Sequence, residues 1–123
     1  MRPLNWRRHA PPPPRDRTTR HKTRIDIPED KRRQLAELLN ARLADLVDLQ
    51  TQLKQAHWNV KGPSFIALHE LFDSAANIVR AHVDTVAERA VILGGVALGT
   101  ARVAASASTL SEYPLDAQDA AAH

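Results

Sequence analysis

Three blocks between residues 55 and 90 decide the fold of this chain: QAHWNVKG at 55–62, FIALHELFD at 65–73 and AHVDTVAERA at 81–90. Apolar residues in these blocks recur at the spacing typical of helices. The blocks also carry imidazoles and carboxylates, the borderline and hard ligands that suit iron, zinc or manganese. The candidate metal ligands are His57, His69, Asp73, Asp84 and Glu88. The sequence therefore predicts a helical scaffold with a metal site.

The first helix is expected to begin near residues 26–30, where a proline and three acids suit a first helical turn. Apolar positions then follow at spacings of three, four or seven: Leu35, Leu39, Leu43, Leu46 and Leu53, widened by Leu38, Val47 and Leu49. Adding four to Leu53 gives His57, so this histidine is expected on the buried face. Lys61-Gly62-Pro63 is a typical helix end.

The second helix is expected from about Ser64, a plausible N-cap, to Leu93, where Gly94-Gly95 stops it. Its apolar set is broad, which predicts more than one packing partner. The short connection makes the two helices an antiparallel hairpin. Beyond the glycines, residues 101–107 are alanine-rich and predict about two helical turns. Residues 116–119, with acids in a first turn, are typical of the opening of a third long helix.

Four of the candidate ligands occupy about one quadrant of the second helix at ~100° per residue: His69, Asp73, Asp84 and Glu88. Carboxylates on a buried face are costly unless they are paired or bound to a cation. Ion pairs with Arg80 or Arg89 are the structural alternative for one or two of them. Metal binding accounts better for all four together with a buried-face histidine on the preceding helix.

The spacing along the second helix predicts a dimer. Asp73 and Asp84 are eleven residues apart, which is about 16 Å along a helix axis. The ions of a two-metal site lie only ~3.5–4 Å apart. One helix therefore cannot bring both ends of the ligand stripe to one cluster. A two-fold axis near Ile78 would, and we expect two symmetry-related sites shared between two copies.

The N-terminal part of the chain is strongly basic. Residues 1–33 hold eleven Lys/Arg against four Asp/Glu, whereas residues 34–123 hold six against ten. Residues 1–24 are poor in apolar side chains and include Pro11–Pro14, so we expect a disordered basic arm before a helical domain at 25–123. Such an arm binds DNA phosphates without sequence preference, or is only a solvated tail. Its DNA-binding candidates are Arg7, Arg8, Arg15, Arg17, Arg20, Lys22 and Arg24.

Composition excludes several classes of protein. The chain has no cysteine, so disulfides and thiolate metal sites are excluded. No apolar run approaches the ~18 residues of a membrane span, and we expect no membrane partner. Arg7-Arg8 resembles half of a twin-arginine signal, but no apolar segment follows it. We therefore expect a cytoplasmic protein.

Two segments carry a family resemblance: KQAHWNVKGPSFIALHELFD at 54–73 and DTVAERAVILGGVALGT at 84–100. They resemble the Dps family, DNA-binding proteins from starved cells, which are miniature ferritins. The resemblance covers roughly residues 25–119. It implies an all-α chain of the ferritin-like four-helix bundle family, assembled into a twelve-subunit shell. It also implies a cytoplasmic, nucleoid-associated protein that binds DNA.

The resemblance also implies an activity and its residues. A Dps protein is a ferroxidase that oxidises Fe(II), preferably with hydrogen peroxide, and stores the ferric iron. The family's ligand pattern falls on His57, His69 and Asp73 of one chain and on Asp84 and Glu88 of its two-fold neighbour. Trp58 resembles the family's tryptophan near the iron site, with core packing as the alternative. His82 lies off the stripe and is expected at the surface or in ordinary packing.

One departure from the family pattern concerns the number of helices. The family bundle has four long helices, whereas this sequence predicts the first hairpin and a short connecting helix. We therefore expect the domain at 25–123 to be C-terminally incomplete, with part of both apolar faces uncovered. The alternative to a ferroxidase is then a non-enzymatic truncated hairpin that self-associates and at most binds DNA through its arm.

Overall fold

Two long antiparallel helices make up most of the structure. The computed structural model describes residues 21–123. It contains α1 (Glu29–Asn59), α2 (Phe65–Ile92) and the short α3 (Ala101–Ala107), with no strand in the described part. The predicted all-α fold is confirmed, as a helical hairpin followed by a two-turn helix. No helix between residues 21 and 123 has the length and apolar character to cross a bilayer.

The helix ends follow local sequence signals. Acidic Glu29 and Asp30 occupy the first turn of α1, where they complement the positive end of the helix dipole. Gly62, at φ +108°, lies just beyond the last turn of α1 in a backbone conformation that favours glycine. The expected N-cap of α2 is wrong in one respect: Ser64 precedes the helix, but its side chain makes no cap hydrogen bond. Its backbone, at ψ 17°, departs from the extended conformation typical of a capping residue.

Most of the buried side chains on α1 and α2 are small. The two helices pack against each other, and most of the buried apolar residues on them are alanines. Those alanines are Ala36, Ala44, Ala56, Ala76 and Ala90. Leu43 and Val60 are the largest fully buried side chains in the described part of the chain. The core of the described residues is therefore made mostly of small side chains, whereas several larger apolar side chains are exposed.

One polar side chain is buried with the core. Asn40 is only 9% exposed. Its Nδ2 donates to the Val96 carbonyl at 2.9 Å, and its Oδ1 accepts from the Leu98 N–H at 2.8 Å. A buried polar group needs such partners. Asn40 therefore fixes the path of the chain from the end of α2 back across α1.

The apolar face that extends beyond the core is open. Leu38 on α1 is 57% exposed, and Leu71 and Ile78 on α2 are 59% and 62% exposed. Among the described helices, α2 packs on α1 alone. The several partners that the breadth of the α2 apolar set predicted are thus not found within residues 21–123.

The segment after α3 returns along α1 through polar contacts. Asp45 accepts from the Thr109 N–H at 2.7 Å, and Asp48 accepts from the Ser108 hydroxyl at 2.6 Å. One turn further on, Gln52 donates to the Ser111 carbonyl at 3.1 Å. Polar residues of α1 thus hold α3 and the following turn against the hairpin.

Residues 116–119 do not open a third long helix, and that prediction is wrong for the described chain. The backbone groups of this segment have other partners: the Gln118 carbonyl accepts from the Lys61 N–H at 2.7 Å. The Asp119 carboxylate accepts from the N–H groups of residues 121 and 122. Tyr113 hydrogen bonds to His123, whose ring packs edge-on against Phe72. These contacts favour an irregular segment across the hairpin over helical pairing.

Most of the basic arm lies outside the described residues. This applies to five of its candidate DNA contacts: Arg7, Arg8, Arg15, Arg17 and Arg20. Lys22 and Arg24 lie within the described part and are exposed. The domain boundary at residue 24 stays a prediction.

Candidate metal centre

The two histidines lock each other in position where the hairpin turns. His57 is in the last turn of α1 and His69 is near the start of α2. Their rings stack with centroids 3.7 Å apart and planes inclined at 23°. The Nδ1 of His57 lies 2.6 Å from the His69 carbonyl, and the Nδ1 of His69 lies 2.7 Å from the His57 carbonyl. The short connection between the helices permits this reciprocal arrangement.

These hydrogen bonds define the tautomers of both rings. A carbonyl oxygen only accepts, so each Nδ1 must carry the proton and donate. In its neutral form, each ring would then have its lone pair on Nε2, the form in which histidine binds a metal. A hydrogen bond from the other ring nitrogen to a backbone carbonyl is the usual way of orienting such a ligand. The pair is therefore prepared to donate two imidazole nitrogens.

Asp73 lies one turn after His69 and is paired with a lysine from α1. The Lys54 ammonium lies 2.6 Å from Asp73 Oδ1. This hydrogen bond lowers the pKa of Asp73, with partial burial acting against it. The positive charge of Lys54 and smaller contributions from His57 and His69 also lower the pKa. Asp73 is therefore held as a carboxylate close to both imidazoles.

Asp84 and Glu88 lie much further along α2 and are both exposed. Within residues 21–123 there is no group of three or more His, Asp or Glu side chains that could hold a metal ion. A single described chain thus brings His57 and His69 into contact, with Asp73 near enough for both rings to affect its pKa, but these three side chains do not form a group that could hold a metal ion. Asp84 and Glu88, four residues apart, present their own carboxylates on one exposed face of the helix.

Lys54 was not identified as part of the site by sequence reasoning. Its position three residues before His57 places it on the same side of α1, which was the available signal. Its ammonium also lies 5.8 Å from the ring centroid of Trp58. Trp58 is 66% exposed, so core packing of this side chain is wrong for the described chain. His82 is exposed, as expected.

Comparisons with known proteins agree with this architecture. The model of the ferritin-like domain family matches residues 36–123. A DNA protection during starvation protein from Agrobacterium fabrum is 47% identical over 96 residues, covering 78% of this chain and 59% of its own length. One from Mycolicibacterium smegmatis is 36% identical over 97 residues, covering 79% and 53%.

Solved structures give the same result. DpsA14 from Streptomyces coelicolor has a TM-score of 0.80 at 40% identity, covering 89% of this chain and 64% of its own. The chain spans less than two thirds of the length of each of these relatives. The matched helices, and the family model over most of the chain, define a ferritin-like protein. The chain belongs to the ferritin-like family, and within it to the Dps family.

Proposed function

We propose that this chain is a Dps-type ferroxidase that takes Fe(II) as its substrate, at sites shared between two copies. The arrangement of His57 and His69 carries the proposal, because the hydrogen bonds of both Nδ1 atoms leave both Nε2 atoms as donors for a metal ion. The Asp73 carboxylate is near enough for both rings to lower its pKa. Imidazole and carboxylate donors suit Fe(II). A second copy related by a two-fold axis would add Asp84 and Glu88, which lie about 16 Å and about 22 Å further along α2 than Asp73.

The proposed reaction needs little from the protein beyond holding and orienting ions. Two Fe(II) ions each give one electron to one hydrogen peroxide, the O–O bond breaks, and two protons complete two waters. The residues described here would orient the iron through two fixed imidazoles and balance its charge with carboxylates. Consumption of iron and peroxide together removes both reactants that generate hydroxyl radicals. The ferric product would then be stored in the assembled protein.

DNA binding is the second part of the proposal. The relatives from Agrobacterium fabrum and Mycolicibacterium smegmatis are named for DNA protection during starvation. The excess of arginine and lysine in residues 1–33 suits non-specific phosphate contacts, which weaken as salt rises. Lys22 and Arg24 are exposed and available for such contacts. The protein would then lie in the cytoplasm with the nucleoid.

Peroxide-dependent Fe(II) oxidation by the purified chain tests the ferroxidase. We expect oxidation faster than in buffer and at least tenfold slower with Glu88→Gln, which removes one carboxylate from the second pair. Glu37→Gln is the matched control, because Glu37 is exposed near the opposite end of the hairpin from His57 and His69. Oxidation no faster than in buffer would leave the non-enzymatic, self-associating hairpin as the better account.

A further inference from the structure

The C-terminal end of α2 is bound by residues that immediately follow the basic arm. Gly94 has φ +89°, and its N–H donates to the Val91 carbonyl while the Gly95 N–H donates to the Ala90 carbonyl. This is a Schellman arrangement, which satisfies some of the carbonyls left unpaired at a helix end. The next carbonyls, those of residues 92–94, need other donors.

Three donors from the N-terminal side of the molecule supply those bonds. The Thr23 hydroxyl donates to the Ile92 carbonyl at 3.0 Å. Arg32 Nη1 donates to the Leu93 carbonyl at 3.4 Å. The backbone N–H of His21 donates to the Gly94 carbonyl at 3.1 Å. Three consecutive carbonyls at the negative end of the α2 dipole are thereby paired, one of them with a cation.

Arg32 also holds the other end of the same segment. Its Nε donates to the Ile27 carbonyl at 2.9 Å, so one guanidinium joins residue 27 to the end of α2. The planar fork of arginine serves two carbonyls at once, which a lysine ammonium on a single stem does poorly. Both ends of the segment 21–27 are thus hydrogen bonded: His21 to Gly94 at the end of α2, and Ile27 to Arg32 in α1.

Gly94 makes the close approach of this segment possible. A Cβ at residue 94 would lie 2.7 Å from the His21 carbonyl oxygen and 3.0 Å from Arg32 Nη1. The first contact is with backbone, so the segment would have to move. Gly62 has a similar left-handed conformation, at φ +108°, but nothing lies within 4 Å of a Cβ built there. An alanine at either glycine would therefore be strained in its backbone, but only an alanine at residue 94 would also collide with residues 21–27.

We propose that residues 21–27 are a docked root for the basic arm, with Arg32 as its positioning residue. The root fixes the arm at the end of the hairpin formed by the start of α1 and the end of α2. Lys22 and Arg24 are then carried on a held segment, with their side chains exposed. The proposal rests on the proposed function only where it names DNA phosphates as the partner of the arm.

Limited trypsin digestion of the full chain tests the docked root. Bonds after Lys22 and Arg24 lie inside it, and cleavage there follows the population of the released segment. We expect two variants to accelerate cleavage at these bonds roughly five- to tenfold: Arg32→Lys, which weakens charge-assisted hydrogen bonds, and Gly94→Ala, whose Cβ would collide with the His21 carbonyl oxygen. The matched controls, Arg33→Lys and Gly62→Ala, should cleave as the wild type does, with helix content checked by circular dichroism.

Wild-type cleavage rates in both root variants would overturn the proposal, as would equal acceleration in the controls. A gel-shift assay with linear duplex DNA at low salt tests the positioning role. Arg32→Lys should weaken DNA retention two- to threefold relative to Arg33→Lys. If Arg32→Lys accelerates trypsin cleavage but leaves DNA retention unchanged, Arg32 does not position the arm for DNA. If the wild type retains no DNA, the proposed DNA function fails, and the cleavage rates still decide whether the root is docked.

Discussion

Lys54 and Asp73 form an ion pair across the hairpin, with Nζ 2.6 Å from Oδ1. The pair joins the last turns of α1 to the first turns of α2, next to the stacked imidazoles of His57 and His69. The Lys54 ammonium neutralises the Asp73 carboxylate, which is one of the proposed iron ligands. Metal binding and this ion pair are therefore expected to compete.

Replacing Lys54 with methionine should tighten metal binding. The two side chains are 32% and 42% exposed, so the pair is weakened by solvent and its loss should change affinity only about two- to fivefold. Anaerobic calorimetry with Fe(II) measures the change. Lys61→Met is the control, because it removes the same charge from an exposed position in the connection. Equal or weaker affinity in Lys54→Met would mean that the lysine does not compete.

Asn40→Ala should be strongly destabilising. The change leaves the Val96 carbonyl and the Leu98 N–H without the partner that Asn40 provides. A buried unpaired group costs about 1–3 kcal/mol. Because Val96 and Leu98 are only half-buried, the two groups together should lower the free energy of unfolding by about 2–4 kcal/mol. Urea unfolding followed by circular dichroism measures it. Asn77→Ala, at an exposed position of α2, should change the free energy of unfolding by less than about 0.5 kcal/mol.

Asp45 should make the stability depend on acid pH. The Thr109 N–H is the largest cause lowering the pKa of Asp45 below its ordinary value of 3.8, and partial desolvation opposes it. A folded-state pKa below the unfolded one stabilises the protein above pH 3.8, and this stabilisation is lost as pH falls through the folded pKa. Asp45→Asn should therefore be less stable than wild type at pH 7, with the difference shrinking between about pH 5 and pH 3.

Urea unfolding at several pH values measures the effect of Asp45. Asp116→Asn is the control, since Asp116 is exposed in the segment after α3. Parallel stability curves for wild type and Asp45→Asn across this pH range would contradict a role for the Thr109 contact.

The parts of the fold that sequence predicted well depend on neighbours along the chain. Gly94 directly follows the C-cap of α2 and takes positive φ, a conformation that favours glycine. Gly62 also takes positive φ, but it lies in the connection, three residues beyond the end of α1. The alanine-rich residues 101–107 form the expected short helix. His57 packs against His69 at the start of α2, on the side of α1 that its position after Leu53 in the apolar stripe predicted, but it is half-buried and not part of the buried core.

The parts that sequence missed depend on contacts between distant segments. Lys54 pairs with Asp73, nineteen residues away, and helix periodicity on either helix does not define their register. Asn40 is polar within an apolar stripe, and its partners lie after α2. The acids near residue 119 indicated a helix start, but Asp119 bonds the N–H groups that follow in a turn. Ile78 is exposed because α1 is the only described helix that packs on α2. The sequence of α2 does not specify how many helices pack on it.

Mixing two inactive variants would test whether the iron site is shared between copies. His57→Ala removes a ligand from the α1 side of the proposed site, and Glu88→Ala removes one from the partner side. In a mixed two-fold dimer, one site combines both defects and the other has every ligand intact. Random pairing makes half of the dimers mixed, each with one intact site, so about a quarter of the wild-type oxidation rate should return.

The mixture must be made by co-expression or by refolding the two variants together, so that chains exchange. Simple mixing of folded variants serves as the control and should stay inactive where exchange is slow. A site built within one chain predicts no recovery, because each copy would keep its own defect. Recovery near a quarter would place Glu88 across the interface from His57, in keeping with the lack of any group of three such side chains within residues 21–123 of one chain.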